Sequence, residues 1–441
     1  MYMLNSYKRF CFLKTIIKSE EIKRIARGSH IHSFTRNRKM TIEDIIIMSI
    51  NKKGLTTSME IYNYFKKKGK LDMKVSKQDY LKQRLNLNYE VFIALNQAYL
   101  CEYYNENTLN IKGYGLFAID ASKVEVPNSK ENAFAFCIAK NGKQCTIVRS
   151  LISVVYDIVN GFCLDLQIGK VNASEPQQAK DNIQMLKRIY KDKCIIIFDR
   201  GYPGIEFYRY LEENNIKFIM RTSSNDYKKE KQDMLSNDEK VQLMHTYGRL
   251  AKIKQKHLEE YEKIKNDKYT EVRMIRCKLK SGQIEYLVTN LDEKEFNTEE
   301  IIKMYGLRWG VEKKYHTLKN KMKLECVTGT KPIYVYQDFH AQLLTYNIVH
   351  DMMRDAQKNI EEKETGKGEK IRINENIAIG LFKEEFIEIM MIKSNQQKEK
   401  KLNRLYEEMI RYVNTVRAHN KNTPRNFRLS NKNRSNLKNS F

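Results

Sequence analysis

The sequence contains only five prolines and one tryptophan in 441 residues. So few prolines exclude a collagen-like chain and a Pro-rich disordered one. No run of 18 apolar residues occurs, and the N-terminal stretch Phe10–Leu13 is short and set among Lys and Arg. Neither a membrane span nor a secretory signal is therefore expected. Eight cysteines are scattered, with no CxxC pair and no zinc-finger spacing to histidine. They are expected to be reduced, mostly buried thiols in a cytoplasmic protein. A Walker A loop, GxGxxG and GxSxG are also missing, so phosphate-loop, dinucleotide and serine-hydrolase chemistries have no support. Acid is in short supply too: 54 Asp and Glu face 80 Lys and Arg, a net charge of +26.

That excess points to a polyanionic partner, nucleic acid before an anionic membrane surface. Its distribution is uneven. Residues 1–40 carry ten basic and two acidic side chains, and residues 393–441 carry thirteen and three. Both ends read as phosphate-binding arms or as solvated tails, and phosphate contacts position a protein without specifying a sequence. Phe427 and Leu429 are too few to give the tail a membrane-binding apolar face.

The length suits two to four domains. Residues 1–110 read as a helical DNA-binding domain with a basic arm. Thr41-Ile42-Glu43-Asp44 is a capped helix start, and Ser58–Phe65 and Ser76-Lys77-Gln78-Asp79 begin two more helices. Three short helices fit a helix-turn-helix reader and an all-helical packing domain almost equally. From 111 the period changes to that of strands. Gly115–Ile119 is an apolar run ending at Asp120; Thr146–Asp157 and Gly161–Ile168 are strands joined at Asn160-Gly161. A helix with Pro176 in its first turn, the apolar strand Cys194–Phe198, a helix after Pro203 and the strand Ile216–Met220 follow. This order resembles a ribonuclease-H-like α/β core over 111–223. A mainly β insertion is expected over 224–298, with a hairpin around Ser281-Gly282. The core resumes over 299–355, where Asn297 and Glu300 have capping-box spacing, and 356–441 forms a helical basic C-terminal region.

Three acids stand where such a core would gather them. Asp120 and Asp199 each follow an apolar strand, and Glu312 lies on a later helix. Clustered carboxylates repel one another unless a hard cation neutralises them, and Mg²⁺ prefers oxygen ligands. Two such ions about 3.5–4 Å apart can activate one oxygen and stabilise another in phosphodiester chemistry. Taken singly, each acid is more simply a surface or capping residue. Tyr305, Arg308, Glu312 and Lys319 are spaced by three, four and seven residues. At about 100° per residue they share an arc of roughly 60°, which suits a metal ligand beside phosphate-gripping groups and equally a solvated stripe of salt bridges. Gly306 and Gly310 make a bend possible there.

Tyr305-xx-Arg308-xxx-Glu312-xxxxxx-Lys319 resembles the Tyr-Arg-Glu-Lys signature of bacterial insertion-sequence DDE transposases, the insertion-sequence-four type in particular. Asp199-Arg200-Gly201-Tyr202 and Ile119-Asp120-Ala121-Ser122-Lys123-Val124 are similar to that family's other two acidic motifs. The resemblance spans about 115–350. It implies cut-and-paste DNA transposition, with Asp120, Asp199 and Glu312 binding two Mg²⁺ ions (Mn²⁺ substituting) and Tyr305, Arg308 and Lys319 holding phosphates. It also implies a homodimer pairing two terminal inverted repeats, joining to target DNA, and a hairpin intermediate. One departure concerns base stacking. Some relatives use a Trp in the β insertion, whereas the single Trp here is Trp309; Tyr286 is the nearest aromatic at the expected strand. Tyr286 is a stacking candidate or, more simply, a core tyrosine. Arg200 and Arg221 grip DNA or pair with core acids. A silent end-binding protein and a metal-dependent nuclease without strand transfer are the alternative functions.

Overall fold

The structure is a computed structural model describing residues 5–30, 32–35, 39–106, 108–140, 146–256, 258–278, 282–363 and 371–415. The tip of the Ser281-Gly282 hairpin and most of the basic C-terminal tail thus lie outside the described residues.

A nine-stranded mixed sheet forms the centre. Its strands are β1 (Gly115–Glu125), β2 (Ile138–Lys140), β3 (Thr146–Asp157), β4 (Cys163–Lys170), β5 (Cys194–Phe198), β6 (Lys217–Thr222), β7 (Asp238–Met244), β8 (Tyr269–Lys278) and β9 (Ile284–Thr289). They lie in the order β4-β3-β1-β5-β6-β9-β8-β7, with short β2 pairing with the start of β3. Strands β1, β3 and β4 are antiparallel neighbours, while β5 runs parallel to both β1 and β6. The tight turn from β3 to β4 depends on Gly161, held at φ +85°. A Cβ there would meet His350 Nε2 at 2.3 Å, so only glycine fits both the backbone and the packing.

Alternation along the strands creates two buried faces. Leu116, Ile195, Ile197 and Ile219 pack beneath the helix Thr298–Gly306. Phe117, Ile119, Ile196, Phe198, Phe218 and Met220 pack against the helices Glu175–Ile189 and Ile205–Glu213. Every residue of β5 is buried, as its uninterrupted apolar run requires.

Helices from both ends of the chain share one core. Phe10, Ile45, Phe92, Leu344, Phe382 and Leu405 are all buried in a single cluster. They come from the helices Asn5–Ile16, Ile42–Ile50, Glu90–Tyr104, Pro332–Lys363, Glu375–Met391 and Asn395–Arg411. The 32-residue helix Pro332–Lys363 runs unbroken through residue 356. Buried ion pairs lock it to the N-terminal helices: Asp351 holds Arg9 at 2.7 Å, and Asp338 holds Lys52 at 2.6 Å and Arg84 at 2.7 Å. The two-stranded sheet of β10 (Ile371–Ile373) and β11 (Val413–Thr415) closes this region.

Several local expectations meet their physical limits here. Asp120 does not end its strand. The parallel pairing with β5 stops at Ala118, but antiparallel pairing with β3 carries β1 on to Glu125. Segment 224–298 is not a separate, mainly β unit. Its three strands extend the central sheet, and the short helices Lys228–Gln232, Tyr247–Lys256 and Leu258–Ile264 intervene. Leu250 and Ile253 on the second of these pack into the core below. The helix expected through Tyr305 and Lys319 is broken at Leu307–Arg308, resumes as Trp309–His316, and loosens into a π-turn at Thr317–Lys321.

Candidate active site

The register of the parallel strands builds the site. Ala118 pairs with Ile197, and Ile197 with Ile219. Two residues further along each strand stand Asp120, Asp199 and Arg221, which the period of two places on one face. The same face is covered by the broken helix carrying Tyr305, Arg308 and Glu312. Three acids separated by 79 and 113 positions in the sequence are thus brought to one place.

Arg308 lies at their centre. Its Nη1 is 4.0 Å from Asp120 Oδ2, and its Nη2 is 3.8 Å from Asp199 Oδ2 and 3.2 Å from Glu312 Oε1. The residue is only 3% exposed, and its Nε is buried without a hydrogen-bond partner. Burial works against its charge, but Asp199, Tyr305, Asp120 and Glu312 outweigh that and hold its pKa above the usual value. Asp199 also receives Arg221 Nε at 3.2 Å and the Tyr305 hydroxyl at 3.4 Å. Arg221 Nη1 in turn reaches Glu285 Oε1 on β9 at 2.6 Å, so this arginine is paired with acids rather than free. Burial and the Asp199 charge push the Tyr305 phenol up to about 12, keeping it a donor.

Asp120 is the most perturbed acid. Burial, reinforced by Asp199 and Glu175, pushes it up to about 6 despite the Ala121 N–H and Arg308. The Tyr315 hydroxyl donates to the Asp120 carbonyl at 2.5 Å and fixes the strand beneath it. Glu175 is a fourth carboxylate at the rim, which sequence reasoning missed. Its Oε2 lies 3.2 Å from where a Cβ on Gly201 would stand, so the glycine of Asp199-Arg200-Gly201-Tyr202 leaves room for it. No local pattern marks Glu175 or Tyr315; only the tertiary fold brings them here.

The remaining sequence candidates separate. Lys319 bonds to Ser122 Oγ at 2.8 Å and to the Lys123 carbonyl at 2.7 Å. It therefore lies along β1 beyond Asp120 rather than among the acids, because the π-turn takes it off the helical arc. Tyr286 is not brought to the acids. It pairs with Thr222 on β6, one position from Arg221 and thus on the opposite face, and its ring is covered by Lys231 at 4.9 Å. Arg200 is exposed and makes no ion pair among the described residues. Trp309 is 52% exposed, with the Arg308 guanidinium 5.3 Å from its ring.

The donor set fits hard divalent cations in kind: three carboxylates, one within strand β1 and one directly after strand β5. In this arrangement, among the described residues, no three His, Cys, Asp or Glu side chains are grouped closely enough to hold an ion. The space between the acids belongs to Arg308. Among the described residues, no helix is long and apolar enough to cross a membrane.

Comparison with known proteins places the chain in a family. A comparison with curated proteins finds no match. Among solved structures, the chain is similar to a piggyBac transposase, seen by cryo-EM in a synaptic complex with hairpin DNA. That match has 9% identity and a TM-score of 0.45, and covers 95% of this chain and 88% of the other. The transposase DDE domain matches residues 111–348, a span that includes all three acids, and the chain therefore belongs to the family of transposases with a DDE domain.

Proposed function

We propose that this chain is a cut-and-paste DNA transposase of the bacterial insertion-sequence-four type, acting through Asp120, Asp199 and Glu312. One observation supports this most: the three acids, from separate elements, converge on one guanidinium at one face of a mixed sheet. The order β4-β3-β1-β5-β6, three antiparallel strands followed by two parallel ones, supports a ribonuclease-H-like core.

DDE transposases generally use divalent metal ions. Asp120, Asp199 and Glu312 would hold two Mg²⁺, which when bound lower the pKa of an attacking water or hydroxyl and offset charge on the leaving oxygen. The chain's own groups then have distinct tasks. Asp120 and Asp199 are fixed by β1 and β5, so the oxygens they present do not reorganise during reaction. Arg308, Tyr305 and Lys319 supply donors for phosphate oxygens and orient the scissile bond. Arg221, tied to Glu285, holds Asp199 in place. Water adds at phosphorus and the P–O3′ bond breaks, freeing a 3′-hydroxyl at the element end. That hydroxyl next displaces an oxygen on the opposite strand, closing a hairpin that is reopened before joining to target DNA. The exposed Trp309 is the stacking face for an unpaired base at this step.

Residues 1–110 and the basic termini would bind the terminal repeats, and a homodimer would pair the two ends in the bacterial cytoplasm. The test is a plasmid bearing the DNA that flanks this gene, incubated with the protein and Mg²⁺, with products resolved on denaturing gels. Free 3′-hydroxyls followed by hairpin ends are expected. Nicks without hairpins or joined products would indicate a nuclease, and tight end binding without cleavage a silent end-binder.

A further inference from the structure

We propose that Arg308 is the internal counter-cation of the metal-free site, and that it must leave the three acids for divalent metal to bind. The inference rests on the metal-binding role proposed above for Asp120, Asp199 and Glu312.

Four observations carry it. The guanidinium stands within 4.0 Å of all three carboxylates, where incoming cations would have to sit. In this arrangement, no metal-ready group of three ligating side chains exists among the described residues. The pairing is poor as a permanent bond: Arg308 makes one hydrogen bond to the acids, to Glu312, and its Nε has no partner although buried. Finally, it has somewhere to go. Arg308 sits in the break between two helices, and its guanidinium lies 5.3 Å from the ring of Trp309, which is 52% exposed, so the path outward runs past that ring.

A guanidinium and a divalent cation cannot share the same few ångströms without strong repulsion. Arg308 therefore lowers metal affinity in the DNA-free protein while preventing the three acids from repelling one another. A phosphate entering the site draws Arg308 outward by a charge-assisted bidentate contact. The acids are then released to metal, so DNA and metal bind cooperatively. This makes Arg308 a positioning residue acting through the acids, in addition to its contact with DNA.

The sign of one measurement separates this from a merely structural role. Mg²⁺ binding to the DNA-free full chain is measured by calorimetry for wild type, Arg308→Gln and Arg308→Lys. The inference predicts that Arg308→Gln binds Mg²⁺ tighter by about tenfold or more, with Arg308→Lys staying near wild type. Loss of a structural support would weaken binding instead. Equal or weaker binding by folded Arg308→Gln overturns the inference and leaves the metal site standing. No Mg²⁺ binding by wild type or by either variant overturns the metal reading itself. A second readout needs no variant to fold, because Trp309 is the single tryptophan of the chain. As Mg²⁺ fills the wild-type site, Arg308 shifts relative to the Trp309 ring and the emission changes. Unchanged emission at saturating Mg²⁺ also overturns the inference.

Discussion

Replacing Asp338 by Asn tests how the two ends of the chain are held together. Asp338 Oδ2 accepts Lys52 Nζ and the Thr328 N–H, each at 2.6 Å, and Oδ1 accepts Arg84 Nη2 at 2.7 Å. The side chains of Lys52, Asp338 and Arg84 are 9%, 1% and 1% exposed, so water cannot replace the lost charge. Asn preserves the shape and opens no cavity, but two buried cations lose their counter-charge. Arg84 keeps Gln337 and the faces of Tyr80 and Tyr334, and Lys52 keeps the Cys326 carbonyl. The expected cost is about 3–5 kcal/mol, typical of breaking a buried pair from one side. It should appear as a lowered midpoint in urea unfolding of the full chain at pH 7. Burial opposes the charge, but Arg84 and Lys52 hold the Asp338 carboxyl below its usual pKa. Its contribution is thus fully present above the ordinary aspartate range near pH 4 and is lost as pH falls through the lower folded value. The difference between wild type and Asp338→Asn should shrink in that acidic window alone. A cost below about 1 kcal/mol at pH 7 would refute the reasoning.

Three further outcomes follow from named contacts. Burial pushes Lys383 down to about 7, although its Nζ reaches the Lys52 carbonyl at 2.5 Å and Gln342 Oε1 at 2.9 Å. Between about pH 7 and 10.5 the unfolded chain holds a proton the folded chain has shed, so wild-type stability rises with pH; relative to it, Lys383→Met should fare best at pH 7 and lose up to about 4–5 kcal/mol of that advantage by pH 10.5. Urea unfolding at the two ends of the range checks this, and a constant difference would contradict it. Trp309→Ala should weaken stacking at the DNA end by about 1–3 kcal/mol and reduce hairpin yield. Tyr286→Ala, on the opposite face, should lower thermal stability while leaving DNA affinity within twofold, measured by filter binding.

Much of the core was legible because its signals are local. Strands Thr146–Asp157 and Cys194–Phe198 match their apolar runs residue for residue, and the capping boxes at Thr41 and Asn297 form as their side chains allow. Other features depend on partners far away in the chain. Of the last five residues of β1 only Val124 is buried, and pairing with β3 rather than an apolar run makes them strand. Arg9 lies in the basic stretch 1–40 and Lys52 and Arg84 follow it, yet the partners of all three lie more than 250 positions away in one helix. A uniform step of about 100° puts Tyr305, Arg308, Glu312 and Lys319 on one arc; it could not foresee the break at Leu307–Arg308 or the π-turn at Thr317–Lys321, where Lys319 bonds to Ser122 and the Lys123 carbonyl. Arg221 follows the strand expected over Ile216–Met220, whereas it lies within β6; its place beside Asp199 follows only from parallel register.

The most direct test of the central claim compares wild type with Asp199→Asn on the plasmid carrying the gene's flanking DNA, with Mg²⁺ or with EDTA. Excision by wild type in Mg²⁺, and none in EDTA or with a folded Asp199→Asn that still binds the ends, is the predicted result. Equal excision by Asp199→Asn, or excision in EDTA, would contradict a metal-dependent site built on Asp120, Asp199 and Glu312.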